Sequence, residues 1–286
     1  MAVFTTFAEW RTDVLGRAGQ ATDSTSGVYT LAANLLVRAY HQVCNTYPFL
    51  FLRVAPPAAF NTVASFTTGT VLATNGQTAI TFSSAPAASV ANREILISGA
   101  QEAYRIATHV AGAAGAVLDT AFNGTTGAAL TYTVFQREYD LVTGLRHIES
   151  MIVAETGAMI EQREERAMWI DAPDPPKLMW PPQQFARIGE QRIRFDGYPD
   201  RTRRIEYAYT QIPADPDGDA VTILIPRNWR YVPIDGALYW LFLRLVDSRA
   251  DAAGITFQNG IDQMIADDAR KRSNLGISYP KPSVYA

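Results

Sequence analysis

Apolar residues at Phe4, Phe7, Trp10, Val14 and Leu15 recur at spacings of three and four, which predicts one face of a short helix. A loop of Ser, Thr and Asp from Gly19 to Gly27 ends it. The same period returns in Leu31, Leu35, Leu36, Tyr40, Val43, Cys44 and Tyr47. This predicts a second helix, limited by Pro48 because the residue before a proline is pushed out of the helical region. The run Tyr47-Pro48-Phe49-Leu50-Phe51-Leu52 buries the exit, and Pro56-Pro57 makes a stiff joint.

Beyond the joint the chain is dense in Thr, Val, Ala and Gly, the composition of strands and turns. Thr70 to Leu72 and Thr78 to Phe82 flank Asn75-Gly76, which suits a tight type I′ hairpin. Further strands are expected over Glu94–Ser98, Ala103–Val110, Ala116–Phe122 and Leu130–Gln136, together a small antiparallel barrel or sandwich. Gly112, Gly115, Gly124 and Gly127 lie between these strands and read as turn formers.

After Tyr139, a strand is expected at Ile148, Met151 and Val153 with a turn at Thr156-Gly157, then a charged helical piece from Ile160 to Ile170. Pro173 to Pro182 reads as an extended connector. Arg192–Phe195 and Arg203–Tyr209 are expected to form a second hairpin around Asp196-Gly197-Tyr198-Pro199-Asp200. Pro233 opens the strongest helix, with Ile234, Leu238, Leu241, Phe242, Leu245 and Val246 on one face and Tyr239, Trp240 and Leu243 on the other. A helix apolar nearly all round must be covered all round, and part of that cover is expected from another subunit. Thr256 is expected to cap a last helix carrying Phe257, Ile261, Met264 and Ile265. The final ten residues read as an extended tail with two Tyr anchors, suited to a partner's groove.

The expected fold is therefore α+β: a helical bundle host with an inserted small antiparallel β barrel or sandwich, an additional β hairpin and an extended C-terminal tail. Its expected divisions are residues 1–57 (N-terminal host helices), 58–137 (inserted β domain), 138–275 (remainder of the host) and 276–286 (tail).

Composition narrows the function. Among 286 residues, 48% are hydrophobic and 19% charged, which excludes disorder as the dominant state. Basic residues number 25 against 28 acidic ones, a net charge of −3 unsuited to a general nucleic-acid binder. The single Cys44 excludes an internal disulfide and fits a reducing compartment. No signal peptide and no bilayer-spanning apolar run is read, so the expected place of synthesis is the cytoplasm, with no membrane partner.

Candidate chemistry is sparse. His41, His109 and His147 lack companion ligands at metal spacing apart from Cys44, so no metal and no cofactor is expected. Glu161, Glu164 and Glu165 interleave with Arg163 and Arg166 as ion pairs on a solvated face. Arg192, Arg194, Arg201 and Arg203 are expected to share facing strands as a positive patch, with Asp196, Asp200 and Glu206 nearby favouring a protein surface over DNA.

The order of pieces carries a resemblance. A short helix with Trp10, a helix ending in Tyr47-Pro48-Phe49-Leu50-Phe51, a β insertion with Glu102-Ala103-Tyr104-Arg105-Ile106 and Tyr132-Thr133-Val134, the junction Glu138-Tyr139-Asp140-Leu141, and Val232-Pro233 before a helix together resemble head-to-tail adaptor proteins of short-tailed bacteriophages. Val142 stands where that family has Pro. The resemblance implies a non-enzymatic virion protein at the head-tail junction. It would form a dodecameric ring with itself, bound to the portal protein and to the tail nozzle or tube, with DNA passing through its lumen. On that reading Tyr279, Pro280, Lys281, Pro282, Val284 and Tyr285 are the portal-binding tail. Arg192, Arg194, Arg201, Arg203, Tyr239, Trp240 and Leu243 are then contacts to other subunits or partners. The alternatives are a tail-associated, peptidoglycan-degrading hydrolase using Glu161 and Glu164, and a glycan-binding tail component acting through residues 60–137.

Overall fold

A computed structural model describes residues 6–22, 27–171, 181–216 and 223–274, with the backbone alone at 169–171. Phe4, residues 23–26, the connector at 173–180 and the expected tail, including Tyr279, Pro280, Lys281, Pro282, Val284 and Tyr285, lie outside the described residues.

In chain order, α1 (Phe7–Ala18) and α2 (Gly27–Thr46) come first. β1 (Ala58–Asn61) precedes β2 (Val71–Ala73), β3 (Ala79–Phe82), β4 (Glu94–Ile97), β5 (Ala103–His109), β6 (Gly115–Leu118), β7 (Gly127–Leu130) and β8 (Tyr132–Phe135). Then come β9 (Glu138–Asp140), β10 (Leu145–Val153), β11 (Glu161–Arg163), α3 (Glu165–Asp171), β12 (Gln184–Arg187), β13 (Arg192–Phe195) and β14 (Arg204–Gln211). The last elements are α4 (Tyr231–Leu245) and α5 (Ala250–Asn274). Two compact units divide the chain, one of residues 55–209 and one joining 1–54 to 210–286.

This overturns the expected helical bundle host. The protein is β-rich, with three sheets of three, four and seven strands among the described residues. The stretch 138–209, assigned to the host from sequence, supplies strands to two of those sheets. The seven-stranded sheet runs β7-β2-β3-β6-β5-β4-β8, and β7 and β8 meet at Thr131, so it nearly closes into a barrel. Alternation fills its interior with Val71, Ile80, Phe82, Ile95, Tyr104, Ile106, Leu118 and Val134, all at most 2% exposed.

In the same unit the other two sheets are β1-β14-β10 and β11-β12-β13-β9. Phe60 of β1 joins them by stacking on Tyr139 of β9 at 5.1 Å and on Phe195 of β13 at 6.3 Å. Tyr139 also accepts from the Val63 N–H and donates to the Gln136 carbonyl, and burial pushes its hydroxyl up to about 12. Tyr139 of the Glu138–Leu141 junction is thus a structural tie between sheets.

Four local expectations fail. Arg192–Phe195 and Arg203–Tyr209 do not pair: β13 lies between β12 and β9, whereas β14 lies between β1 and β10. Glu161–Arg163 is a strand, because β11 lies parallel to β12 with Gln162 opposite Phe185; helix begins only at Glu165. Gly76 takes a φ of 78° but Asn75 has no positive φ, so the type I′ turn does not form. The Asn75 side chain instead donates to the Gly124 carbonyl at 2.9 Å. Thr256 is no cap, since α5 starts at Ala250 and the Thr256 hydroxyl donates back to Ala252 O inside the helix.

The helical unit begins with a capping box, in which the Thr6 hydroxyl accepts from Glu9 N–H while the Glu9 carboxylate accepts from Thr6 N–H. Its core holds Trp10, Val14 and Leu15 of α1, Leu36 and Val43 of α2, Val232, Ile234 and Leu241 of α4, and Phe257 and Ile261 of α5. Glycine permits the closest approach. A Cβ on Gly236 of α4 would stand 2.7 Å from the Phe257 ring and 3.0 Å from Ala39. Among the buried carboxylates of this unit is Asp235, 3.4 Å from Arg17, which also holds Asp13 at 2.8 Å. Burial pushes Asp235 up to about 6, opposed by Arg17 and reinforced by Asp13.

Candidate protein–protein interface

Most of α4 is covered within a single copy. Val232, Ile234, Ala237 and Leu241 are fully buried, and Pro233 is tolerated because it falls in the first turn, before its missing N–H is needed. Tyr239 and Trp240 are half-buried. A Cβ on Gly254 would meet the Tyr239 ring at 3.0 Å, and Arg38 lies over the Trp240 ring at 4.0 Å. Intramolecular packing therefore uses much of the surface that the sequence assigned to a neighbouring subunit.

The last turn of α4 is different. Leu243 is 44% exposed, Leu245 41% and Val246 92%. Val246 also closes the helix in the left-handed region, at φ 53° and ψ 40°, where its N–H donates to Leu243 O and Phe242 O. A β-branched side chain there is strained by about 1–2 kcal/mol, and glycine is the usual occupant. The turn is nevertheless fixed, because Arg249 grips Asp247 and lies over the Phe242 ring at 4.3 Å. The result is a rigid apolar projection.

Farther along α5, the same unit carries a groove of about 300 Å³ lined by Leu50, Phe51, Pro226, Trp229 and Met264. Phe51 stacks on Phe49 at 5.0 Å, and Trp229 Nε1 donates to Asp267 at 3.2 Å. The wall is pinned from beneath by the buried pair Arg272–Asp268. Asp268 accepts from the Leu50 N–H at 2.8 Å, and Arg272 donates to the Pro48 carbonyl.

The arginines do not form the expected patch, because their strands belong to different sheets. Arg192 pairs with Asp140 at 2.9 Å and Glu138 at 3.8 Å, and Arg194 with Glu94 at 3.6 Å. Arg203 is buried against Glu155 and Asp200, which leaves Arg201 as the exposed member of the four without an ion pair among the described residues. Arg194 lines a cleft of about 500 Å³ in the β unit with Arg105 and Arg137, where Glu94, Glu102, Asp119 and Glu138 balance the charge. Positive potential is cancelled where it was expected to accumulate.

Glu161 lies 3.4 Å from Arg163 and is exposed, as is Glu164, and neither lines the cleft or the groove. His109 ties the Val90 N–H to the Ala113 carbonyl, and His41 pairs with Asp215 at 2.5 Å. Among the described residues no three His, Cys, Asp or Glu side chains gather as metal ligands, and no helix is long and apolar enough to cross a membrane.

Sequence reasoning named Leu243 as a contact but set Leu245 and Val246 on the same apolar face as Ile234 and Leu241, and it missed the groove and the strain at Val246. The available signal was the absence of Gly where α4 ends. Compared with known proteins, the chain matches no protein-family model and no curated protein.

Proposed function

We propose that this protein is a virion structural protein, a head-to-tail adaptor that associates with itself as a ring between a phage portal and tail. The observation that carries the reading is the exposed, strained apolar end of α4, Leu243, Leu245 and Val246. A lone copy has no reason to hold such groups in water, and a neighbouring copy supplies one. The sequence order from Trp10 through the Glu138–Leu141 junction to Val232-Pro233, which resembles that of head-to-tail adaptors, supports the adaptor reading. The balanced charge of the β-unit cleft suits a lumen that lets DNA pass without gripping it.

The test is mass by light scattering, alone and with portal protein, followed by negative-stain images. Rings support the reading, and a monomer under both conditions defeats it. Truncation after Asn274, which removes Tyr279 to Tyr285, is expected to leave the fold intact and abolish portal attachment. Nothing favours the rivals comparably. Glu161 and Glu164 lie outside both depressions, and Tyr104, Phe122 and Tyr132 of the barrel point inward, away from any glycan.

A further inference from the structure

Besides Ile212 at 56% and Ile255 at 64% exposed, the helical unit has two apolar features, at different places, that each gather several residues. One is the projection at Leu243, Leu245 and Val246, held outward on a strained turn. The other is the groove walled by Phe51, Trp229 and Met264. Packing shows that they lie far apart. Gly254 faces Tyr239 and Gly260 faces Val232, so α4 and α5 are antiparallel and the projection sits at the start of α5. The groove residues Met264 and Asp267 are some 14–17 residues farther on, about 20–25 Å along the helix. No copy can therefore fill its own groove with its own projection.

We propose that the end of α4 of one copy seats in the groove of a second copy of this chain. The inference rests on the ring reading above and deepens it by naming the two faces. Such a contact joins two unlike surfaces, and so repeats from copy to copy until it closes as a ring or runs on as a filament. Arg244, between Leu243 and Leu245, is exposed and has no ion pair among the described residues. Asp267 stands half-exposed at the groove, held by Lys271 at 2.7 Å and the Trp229 indole. Seating Leu243 and Val246 against Trp229 would set Arg244 beside the Asp267–Lys271 pair, where it competes with Lys271 for the Asp267 carboxylate. The groove is also preorganised, because the buried Arg272–Asp268 pair fixes Pro48 and Leu50 before any partner arrives.

Val246→Gly separates this contact from a merely structural role. It relieves the left-handed strain, so the melting temperature rises, yet it deletes the tip, so self-association by sedimentation velocity weakens about tenfold or more. Arg244→Asp and Asp267→Arg each weaken association similarly, and the double variant regains most of it. The mixing experiment is sharper. A projection variant, Leu243→Ser with Val246→Gly, is combined with a groove variant, Phe51→Glu, each first checked for a native melt. One intact projection meets one intact groove, giving one-to-one complexes and nothing larger. Should Phe51→Glu fail to fold, Asp267→Arg takes its place.

The inference is overturned if Val246→Gly associates like the wild type, if the mixture forms no complex, or if wild type is monomeric at about 100 µM, a concentration at which even weak contacts populate. It is equally overturned if truncation after Asn274, and not Val246→Gly, abolishes association, since the groove then takes the Tyr279–Pro282 segment. Rings that survive every one of these changes remove this contact and leave the ring reading standing. A monomer even with portal protein removes both.

Discussion

Arg272 and Asp268 meet at 2.6 Å on successive turns of α5, with 5% and 8% of their side chains exposed. Removing one partner from such a pair leaves a buried charge uncompensated. Asp268→Ala is therefore expected to lower unfolding free energy by about 3–5 kcal/mol in urea titration. Replacing both, Asp268→Leu with Arg272→Met, should recover much of that loss, though the Leu50 N–H and Pro48 carbonyl then go without these partners. A double variant as weak as the single one would mean that those backbone hydrogen bonds, and not charge pairing, carry the effect.

Asp235 makes stability depend on pH in the direction opposite to an ordinary ion-paired carboxylate. Burial raises its pKa from 3.8 to about 6, so the folded state holds the proton more firmly than the unfolded one. Its contribution is fully present below pH 3.8 and is lost as pH rises through about 6. Asp235→Asn removes this slope. The variant should match the wild type near pH 4 and exceed it at pH 8 by on the order of 3 kcal/mol, less the lost Arg17 contact. Equal stabilities across that range would place the charge in a better solvated setting than its burial indicates.

Two glycines of the helical unit should respond with opposite signs to alanine. Gly16 of α1 is exposed, has no atom within 4 Å of the place a Cβ would occupy, and gains helix propensity, so Gly16→Ala is expected to stabilise by about 0.5–1 kcal/mol. Gly236→Ala gains the same propensity but drives a methyl into Phe257 and Ala39, a net loss of about 1–3 kcal/mol. Thermal melts of the two variants check both signs. A neutral Gly236→Ala would show that Phe257 can swing aside.

These residues also mark what local sequence could and could not reveal. The stripe Ile234, Leu238, Leu241, Phe242 belongs to one helix with period 3.6, and Ile80 with Phe82 to one strand with period two. Each needs only its own neighbours to be legible. Pairing partners do not. β13 finds Tyr139 opposite Ile193, and β14 finds Phe60 opposite Ile205, across more than fifty residues in each case. The nearby Asp196–Asp200 turn therefore suggested a hairpin that the sheets refuse. Glu161 to Arg166 had helical charge spacing, but parallel pairing of Gln162 with Phe185 overrode it. The groove was invisible because Phe51, Trp229 and Met264 come from three remote segments. Val246 was visible as apolar, but its left-handed backbone was not.

The β-unit cleft yields a last prediction, because its arginines are masked and not absent. Glu94 accepts from Arg137 at 2.5 Å and stands 3.6 Å from Arg194, and both guanidinium groups are largely withdrawn from solvent. Glu138 lies within 4.0 Å of Arg105 and 3.8 Å of Arg192. Neutralising these two acids, Glu94→Gln with Glu138→Gln, leaves Arg105, Arg137 and Arg194 against Glu102 and Asp119 in the cleft, with the Arg192–Asp140 pair beside it. Retention on immobilised duplex DNA should then rise, and the gain should disappear with added salt, since screening removes what phosphate neutralisation supplies. Wild type should elute at low salt. Glu94→Gln alone is also expected to lower stability by a few kcal/mol, because it takes from the buried Arg137 its carboxylate partner. Arg194→Ala, whose partner retains Arg137, should lower it by less. Unchanged DNA retention in a folded double variant would show that phosphate cannot reach the cleft.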